Sequence, residues 1–247
     1  MADLITIPKD KIPSKTYSIS FRVPVYDDYR SARKRYPAND RQDVRVPYSV
    51  EEMLLAMCME KVNDQKLLYE QADIIERLNP FPIADRQFLV RVFLELFFMT
   101  REEATQARDL AEQMAQVYQP EYTLPAKYLP SRSRSVTVHT PNTQVQMEAD
   151  KRYSGSSNMG ASLEEILLAY CISAIDGQPI TPNERDVAAI MSQWSIADVQ
   201  FLGSWFVNLF CIDDKGAEDA ARLGKELKAS LIGSSASTKA KGSTKSD

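Results

Sequence analysis

Apolar residues recur along the chain in two patterns that predict different elements. A strict alternation over residues 17–23, and again over residues 135–139, predicts a short strand in each place. Other stretches carry apolar residues every three or four positions, which predicts amphipathic helices. The pattern therefore predicts a mostly α fold with short β-strands, in which each strand region precedes about four helices.

Capping signals mark where these helices begin. Ser49 with Glu52, and Ser162 with Glu165, form capping boxes, in which the serine accepts from exposed amides and the glutamate bonds back. Between each strand and this first helix we expect a loop. The later helices are predicted over residues 67–78 and from Thr181 (second), from Ala84 and Ala197 (third), and from Thr100 and Asp213 (fourth).

The two sets of elements fall on an internal repeat. An offset of 113 aligns residues 49–114 with residues 162–227 without a gap, and 21 of these 66 positions are identical. Upstream, an offset of 117 pairs residues 13–14 with residues 130–131. The sequence therefore predicts a tandem duplication of one module of about 115 residues.

The repeat sets the expected domain limits. We expect an N-terminal arm over residues 1–11, a first module over 12–118, and a second module over 129–229. Residues 119–128, which include Pro120 and Pro125, are predicted to be a linker. Residues 230–247 are rich in Ser, Thr, Lys and Gly, so they bury too little apolar surface to offset their ordering entropy and are predicted to be a disordered tail.

The third helix differs between the copies at three charged positions. These positions pair Arg86 with Val199, Arg91 with Ser204, and Glu95 with Asn208. The second copy of this helix is therefore nearly uncharged on every side. Burial between the modules is the favoured interpretation, and an apolar face for another protein is the alternative. The aromatic residues that we expect at a protein interface are Phe98, Trp194 and Trp205.

Composition narrows the class of protein. A net charge of −4 over 247 residues gives no basis for bulk nucleic-acid binding or attachment to a membrane surface. Three cysteines without a Cys-x-x-Cys pair fit a reducing compartment. The N-terminus lacks the apolar core of a signal peptide, and the longest apolar stretch, residues 88–99, is too short to span a bilayer. We therefore expect a cytoplasmic protein.

One local cluster of basic residues could recognise phosphates or an acidic partner. On this alternative the protein is a small nucleic-acid-associated or host-modulating binding protein. Nearby aspartates dilute the field of the cluster, so a solvated loop is the favoured interpretation and nucleic acid is not the expected partner. The cluster consists of Arg30, Arg33, Lys34 and Arg35, with an echo at Lys151 and Arg152.

Residues suited to catalysis are scarce. His139 is the one histidine in the chain, and Arg22 stands at the matching position of the other copy. The paired carboxylates fall in predicted first turns, where the helix dipole favours negative charge. All eight glycines lie at or after Gly155, in no phosphate-binding pattern. We therefore predict no catalytic, cofactor-binding or metal-binding residues, and no enzyme activity.

Residues 82–91, with their aspartate at the start of an apolar helix after a strand and a capped helix, resemble one family. They are similar to the baseplate-hub and tail-assembly proteins of T-even-type contractile-tailed bacteriophages. The chain departs from that family in being duplicated and in lacking a cysteine cluster after this helix. The resemblance implies a non-enzymatic hub component or chaperone that binds other tail or baseplate proteins, in the host cytoplasm or in the virion tail.

Overall fold

The computed structural model describes residues 4–35, 49–67, 74–154, 160–180, 190–211, 218 and 220–225. Over these residues helices are combined with two small antiparallel sheets, so the fold is mixed α/β. The predicted helices and short strands are both present, and the strands form four-stranded sheets. Residues 1–209 form one compact unit and residues 210–247 form a second. In the second unit residues 218 and 220–225 are helical, and the predicted tail lies outside the described residues.

The N-terminal half of the larger unit, residues 4–118, places a four-stranded sheet beside its helices. The strands pair in the order β1-β2-β3-β4, with Leu4 opposite Arg22 in the outer pair. The elements are β1 (Leu4–Ile7), β2 (Ile19–Arg22), α1 (Tyr26–Arg35), α2 (Val50–Cys58), β3 (Met59–Val62), β4 (Gln65–Lys66), α3 (Ile83–Phe97) and α4 (Arg101–Ala115).

The C-terminal half, residues 119–209, follows the same order of elements as far as it is described. Its strands pair in the order β5-β6-β7-β8, with Glu121 opposite His139. The elements are β5 (Glu121–Leu124), β6 (Val136–His139), α5 (Thr143–Ser154), α6 (Leu163–Cys171), β7 (Ile172–Ile175), β8 (Gln178–Pro179) and α7 (Ile196–Phe210).

The predicted capping boxes are confirmed at α2 and α6. Ser49 accepts from the Glu52 amide and Glu52 accepts from the Ser49 amide, and Ser162 and Glu165 make the same exchange. The predicted third helix is also confirmed in both halves, where its inward stripe includes the fully buried Phe93. No helix among the described residues is both long and apolar enough to cross a membrane.

In each half a buried aspartate joins the first turn of a helix to an earlier segment. Asp85 joins α3 to the segment before β2, and Asp198 joins α7 to the segment before β6. Asp85 accepts from the Ser14 amide (2.9 Å) and from the Ser14 hydroxyl (2.6 Å). Asp198 accepts from the Ser131 amide (2.9 Å) and the Ser131 hydroxyl. Because hydrogen bonds to a charged acceptor are among the stronger ones, each aspartate holds two distant segments in one arrangement.

The prediction of a loop between the strand and the first capped helix is wrong in both halves, because helices α1 and α5 lie there. Helix α1 buries only Tyr26, Arg30 and Ala32, so it lacks the apolar stripe from which helices were inferred. Charge placement stabilises it instead, since acidic residues occupy its first turn and basic residues its last.

The arm and the linker also need correction, because each contains a strand. Strand β1 lies in the predicted arm and pairs with β2, and β5 lies in the predicted linker and pairs with β6. The second predicted helix is described only as a 3₁₀ helix over Ile74–Leu78, and residues 68–73 and 181–189 lie outside the described residues. A β-hairpin, β3–β4, ends at Lys66, directly before that region.

Candidate functional site

Helix α1 joins the two halves of the larger unit. The Tyr26 amide donates to the Trp194 carbonyl, and the Asp27 amide donates to the Ser192 carbonyl, each over 2.9 Å. Amides in the first turn of a helix have no acceptor within that helix. The C-terminal half therefore supplies the acceptors that the start of α1 needs.

An ion pair fastens the other end of α1 to the cap of α6. The Arg33 guanidinium lies 2.9 and 3.1 Å from the two carboxylate oxygens of Glu165, which also accepts from the Ser162 amide. The guanidinium lies 5.5 Å above the Tyr29 ring, whose edge packs against Phe98. Burial lowers the pKa of Arg33, but Glu165, together with Tyr29 and Tyr26, outweighs burial and the net shift is upward.

Close packing surrounds this ion pair. Tyr26 is 1% exposed, and burial, followed by the charge of Glu165, raises the pKa of its hydroxyl. Gly160 has a φ of +64°, and a Cβ there would lie 2.2 Å from the Arg30 carbonyl oxygen. Glycine is therefore required where α1 approaches this segment. The Arg30 side chain is itself buried and pairs with Asp27.

Helix α7 is covered by the N-terminal half. Ile196 is 1% exposed and packs in the hydrophobic cluster formed by the core of that half. The Gln200 side-chain oxygen accepts from the Met99 amide at 2.9 Å, between α3 and α4. Trp205 is fully buried. Of the two interpretations of this helix, burial between the halves is what the structure shows for its first turns.

A groove of about 1000 Å³ remains beside the covered face of α7. We call it the junction groove, because both halves line it. The N-terminal half contributes the end of α3 and the start of α4, and the C-terminal half contributes Ser162, Glu164, Glu165, Val199, Gln200, Gly203, Ser204, Val207 and Asn208.

A second groove, of about 760 Å³, lies on the N-terminal half alone. We call it the α2–α3 groove, and it is lined by Ser49, Glu52, Ala84, Gln87, Phe88, Val90, Arg91 and Leu94. At the offset of 113, six of these positions correspond to lining positions of the junction groove. The two halves thus present corresponding faces, and the face on the C-terminal half is bordered by residues of the N-terminal half.

The difference in covering is clearest at one pair of identical residues. Ile83, at the start of α3, is 65% exposed, whereas Ile196, at the start of α7, is 1% exposed. Gln87 is exposed in the α2–α3 groove, whereas Gln200 at the corresponding position accepts from Met99. The α2–α3 groove together with Ile83 is therefore the candidate functional site.

Two of the three predicted interface aromatics cannot serve as exposed anchors. Trp194 is 2% exposed, with the Arg134 guanidinium 4.7 Å above its ring, and Trp205 is fully buried. This part of the prediction is corrected, because both rings are buried within the chain. Phe98 is half-buried and packs against Tyr29 at the junction.

The predicted basic patch lies on helices α1 and α5 rather than on a loop. Arg30 pairs with Asp27 and Arg33 pairs with Glu165, so both point into the molecule. Lys34 and Arg35 are exposed. On α5, Lys151 is exposed and Arg152 is half-buried. The predicted patch is therefore split, and the guanidinium groups of Arg30 and Arg33 form ion pairs within the protein.

The candidate acid and base residues occupy structural positions where they are described. Glu52, Glu103 and Glu165 complete capping boxes. The His139 ring nitrogen Nδ1 lies 3.2 Å from the Thr140 carbonyl oxygen. Among the described residues, no three His, Cys, Asp or Glu side chains are grouped closely enough to hold a metal ion.

Comparison with known proteins yields no relative. No protein-family model matches the chain, and neither a curated protein nor a solved structure is similar to it.

Sequence reasoning missed the residues that distinguish the two grooves, although one signal for them is present. Ile83 and Ile196 are identical, and so are Glu52 and Glu165, so identity alone cannot tell a covered position from an exposed one. The loss of charge around α7 marks its face as the covered one. The role of Arg33 required the position of α1, which the apolar pattern does not reveal.

Proposed function

We propose that the protein is a non-enzymatic structural or assembly protein of a contractile phage tail baseplate, acting through stoichiometric contacts with other tail proteins. One observation carries the proposal: α3 exposes a face whose counterpart on α7 is covered within the same chain. We also infer that the two halves descend from one duplicated module, as their matched sequence and element order suggest.

The internal contact indicates what such a face is suited to do. Burying an isoleucine side chain stabilises a contact by about 1.5–3 kcal/mol, and Ile83 has that surface still to bury. Val90 and Leu94 extend the apolar strip along the α2–α3 groove. Exposed apolar strips bordered by polar groups are typical of protein docking sites. The resemblance of residues 82–91 to tail-assembly proteins supplies the kind of partner.

The test combines the full chain with purified baseplate proteins of a contractile-tailed phage. Size-exclusion chromatography with light scattering should give a complex of fixed stoichiometry with at least one of them. Ile83→Asp should abolish that complex, because the contact would then bury a carboxylate that has no cation to pair with. Circular dichroism should give the same spectrum for the variant as for the wild type.

Leu96→Asp is the matched control, since Leu96 lies on the same helix and is 49% exposed, but lies outside the candidate site formed by the groove and Ile83. It should leave the complex intact. Failure of every tail protein to bind, or equal loss from both substitutions, would overturn the proposal. So would multiple turnover of a substrate that His139→Ala abolishes.

A further inference from the structure

We propose that the α2–α3 groove receives an α-helix of a partner protein that carries a basic side chain, set against Glu52 as Arg33 is set against Glu165. This inference rests on the proposed function, because it names the chemistry of the partner at that site. The contacts that Glu165 makes in the C-terminal half provide the template.

Glu165 shows how a capping carboxylate can serve two donors. Glu165 accepts from the Ser162 amide at 2.6 Å and still binds Arg33 with both of its oxygens. Only one of its oxygens takes part in the cap. A guanidinium can therefore dock on such a capped helix without breaking the cap.

Glu52 offers the same arrangement on the N-terminal half. It accepts from the Ser49 amide at 2.8 Å through one oxygen, and it lines the α2–α3 groove together with Gln87, Arg91 and apolar side chains. Among the described residues no cation lies within ion-pair distance of it. A half-buried carboxylate at the edge of an apolar groove gains most from a cation that covers it, since charge-assisted hydrogen bonds are the stronger ones.

A second polar residue of the α2–α3 groove, Gln87, has a counterpart in the junction groove, Gln200. Gln200 accepts from the Met99 amide, which lies between two helices of the covering half. Gln87 stands at the corresponding position and is exposed. The partner is therefore expected to bring a main-chain amide to Gln87 while its basic residue reaches Glu52.

A second copy of this chain does not fit these requirements. Its element corresponding to α1 is α5, which has Asp150 where α1 has Arg33, and Met147 where α1 has Arg30. Head-to-tail docking of two copies would set Asp150 against Glu52. Like charges at such a contact are unfavourable, so the groove selects a different protein with a basic helix.

The probe is a labelled alanine-based peptide of about 20 residues, long enough to be helical alone, with Tyr and Arg at the spacing of Tyr26, Tyr29, Arg30 and Arg33. Its helicity is checked by circular dichroism, and its binding to the full chain is followed by fluorescence anisotropy. We expect saturable binding that weakens at least about five-fold in Glu52→Gln, which keeps the cap and removes the charge.

Two controls locate the contact. Glu51→Gln removes a neighbouring first-turn charge outside the groove and should leave binding unchanged. A peptide with Glu in place of the arginine that copies Arg33 should bind at least about five-fold more weakly to the wild type. Equal binding to the wild type and Glu52→Gln, or no binding by a helical peptide, would overturn the inference.

Two further outcomes separate this inference from the proposed function. A concentration-dependent dimer that Glu52→Gln abolishes would show that a second copy fills the groove and would overturn the inference alone. Peptide binding at Glu52 with no tail protein bound would overturn the baseplate role and leave the basic-helix chemistry standing.

Discussion

Helices α3 and α7 carry the same apolar stripe, yet their own chain covers the outer face of only one of them. Ile83 is 65% exposed and Ile196 is 1% exposed, although the residue is the same. Three charged residues of α3 have uncharged counterparts on α7: Arg86, Arg91 and Glu95 stand where α7 has Val199, Ser204 and Asn208. The apolar stripe specifies that the helix packs against the core. The charge of the residues beside the stripe indicates whether the outer face is exposed to water.

The largest expected difference in the free energy of unfolding is at the position that holds Trp205 on α7 and Val92 on α3. Trp205 is fully buried, and Val92 at the corresponding position is half-buried. Trp205→Ala should lower the free energy of unfolding by about 3–5 kcal/mol, and Val92→Ala by about 1 kcal/mol or less. Urea unfolding followed by far-ultraviolet circular dichroism measures both. Equal losses would mean that the two helices are equally enclosed.

The identical isoleucines give the sharpest form of the comparison. Ile196→Ala should cost about 2–4 kcal/mol, because it leaves a cavity at the junction. Ile83→Ala should change the free energy of unfolding by less than about 0.5 kcal/mol, as is usual for exposed positions. The chemical change is the same, so the difference measures the covering alone. A loss above 1 kcal/mol for Ile83→Ala would contradict the exposure of this residue.

A smaller difference is expected at the capping glutamates. Glu165→Gln keeps the cap but removes the partner of Arg33, and should cost about 1 kcal/mol at low salt, less as salt screens the charges. Glu52→Gln should have almost no effect on the unfolding of the chain alone. A Glu165→Gln loss that does not change with salt would show that the ion pair contributes nothing.

The smallest contrast is expected between Cys58 and Cys171, which occupy corresponding positions. Burial raises the pKa of each thiol to about 12. Since the unfolded thiol ionises near pH 9, the free energy of unfolding should fall as pH rises from 9 towards 12. At pH 8 a thiol reagent should modify the exposed Cys211 first and the buried pair only on unfolding. Fast modification of one buried thiol alone would break the equivalence.

Much of the helical framework could be predicted because local signals determine it. The boxes at Ser49 and Ser162 fix where α2 and α6 begin, and the apolar stripes fix α3 and α7. Helix α1 could not be found this way, since its stability comes from end charges and from acceptors 165 or more residues away. Strands β1 and β5 were missed because a four-residue edge strand carries too short an alternation.

The candidate site could be predicted only in part. Loss of charge around α7 indicated its burial, and the structure agrees. The sequence also placed Trp194 and Trp205 at a surface for another protein. Both are buried, because a large aromatic side chain is equally suited to packing inside one chain. Which of two corresponding faces stays exposed depends on the path of α1, and that path is a tertiary property.

The main-chain bonds of α1 have a consequence for the making of the protein. Tyr26 donates to Trp194, 168 residues later in the chain. At about 5–20 residues per second, a ribosome needs roughly 8 to 34 seconds to reach that acceptor. Helix α1 of a nascent chain thus spends tens of seconds with its first amides in water and Arg33 without Glu165. The junction can therefore form only after the segment around Trp194 has been synthesised.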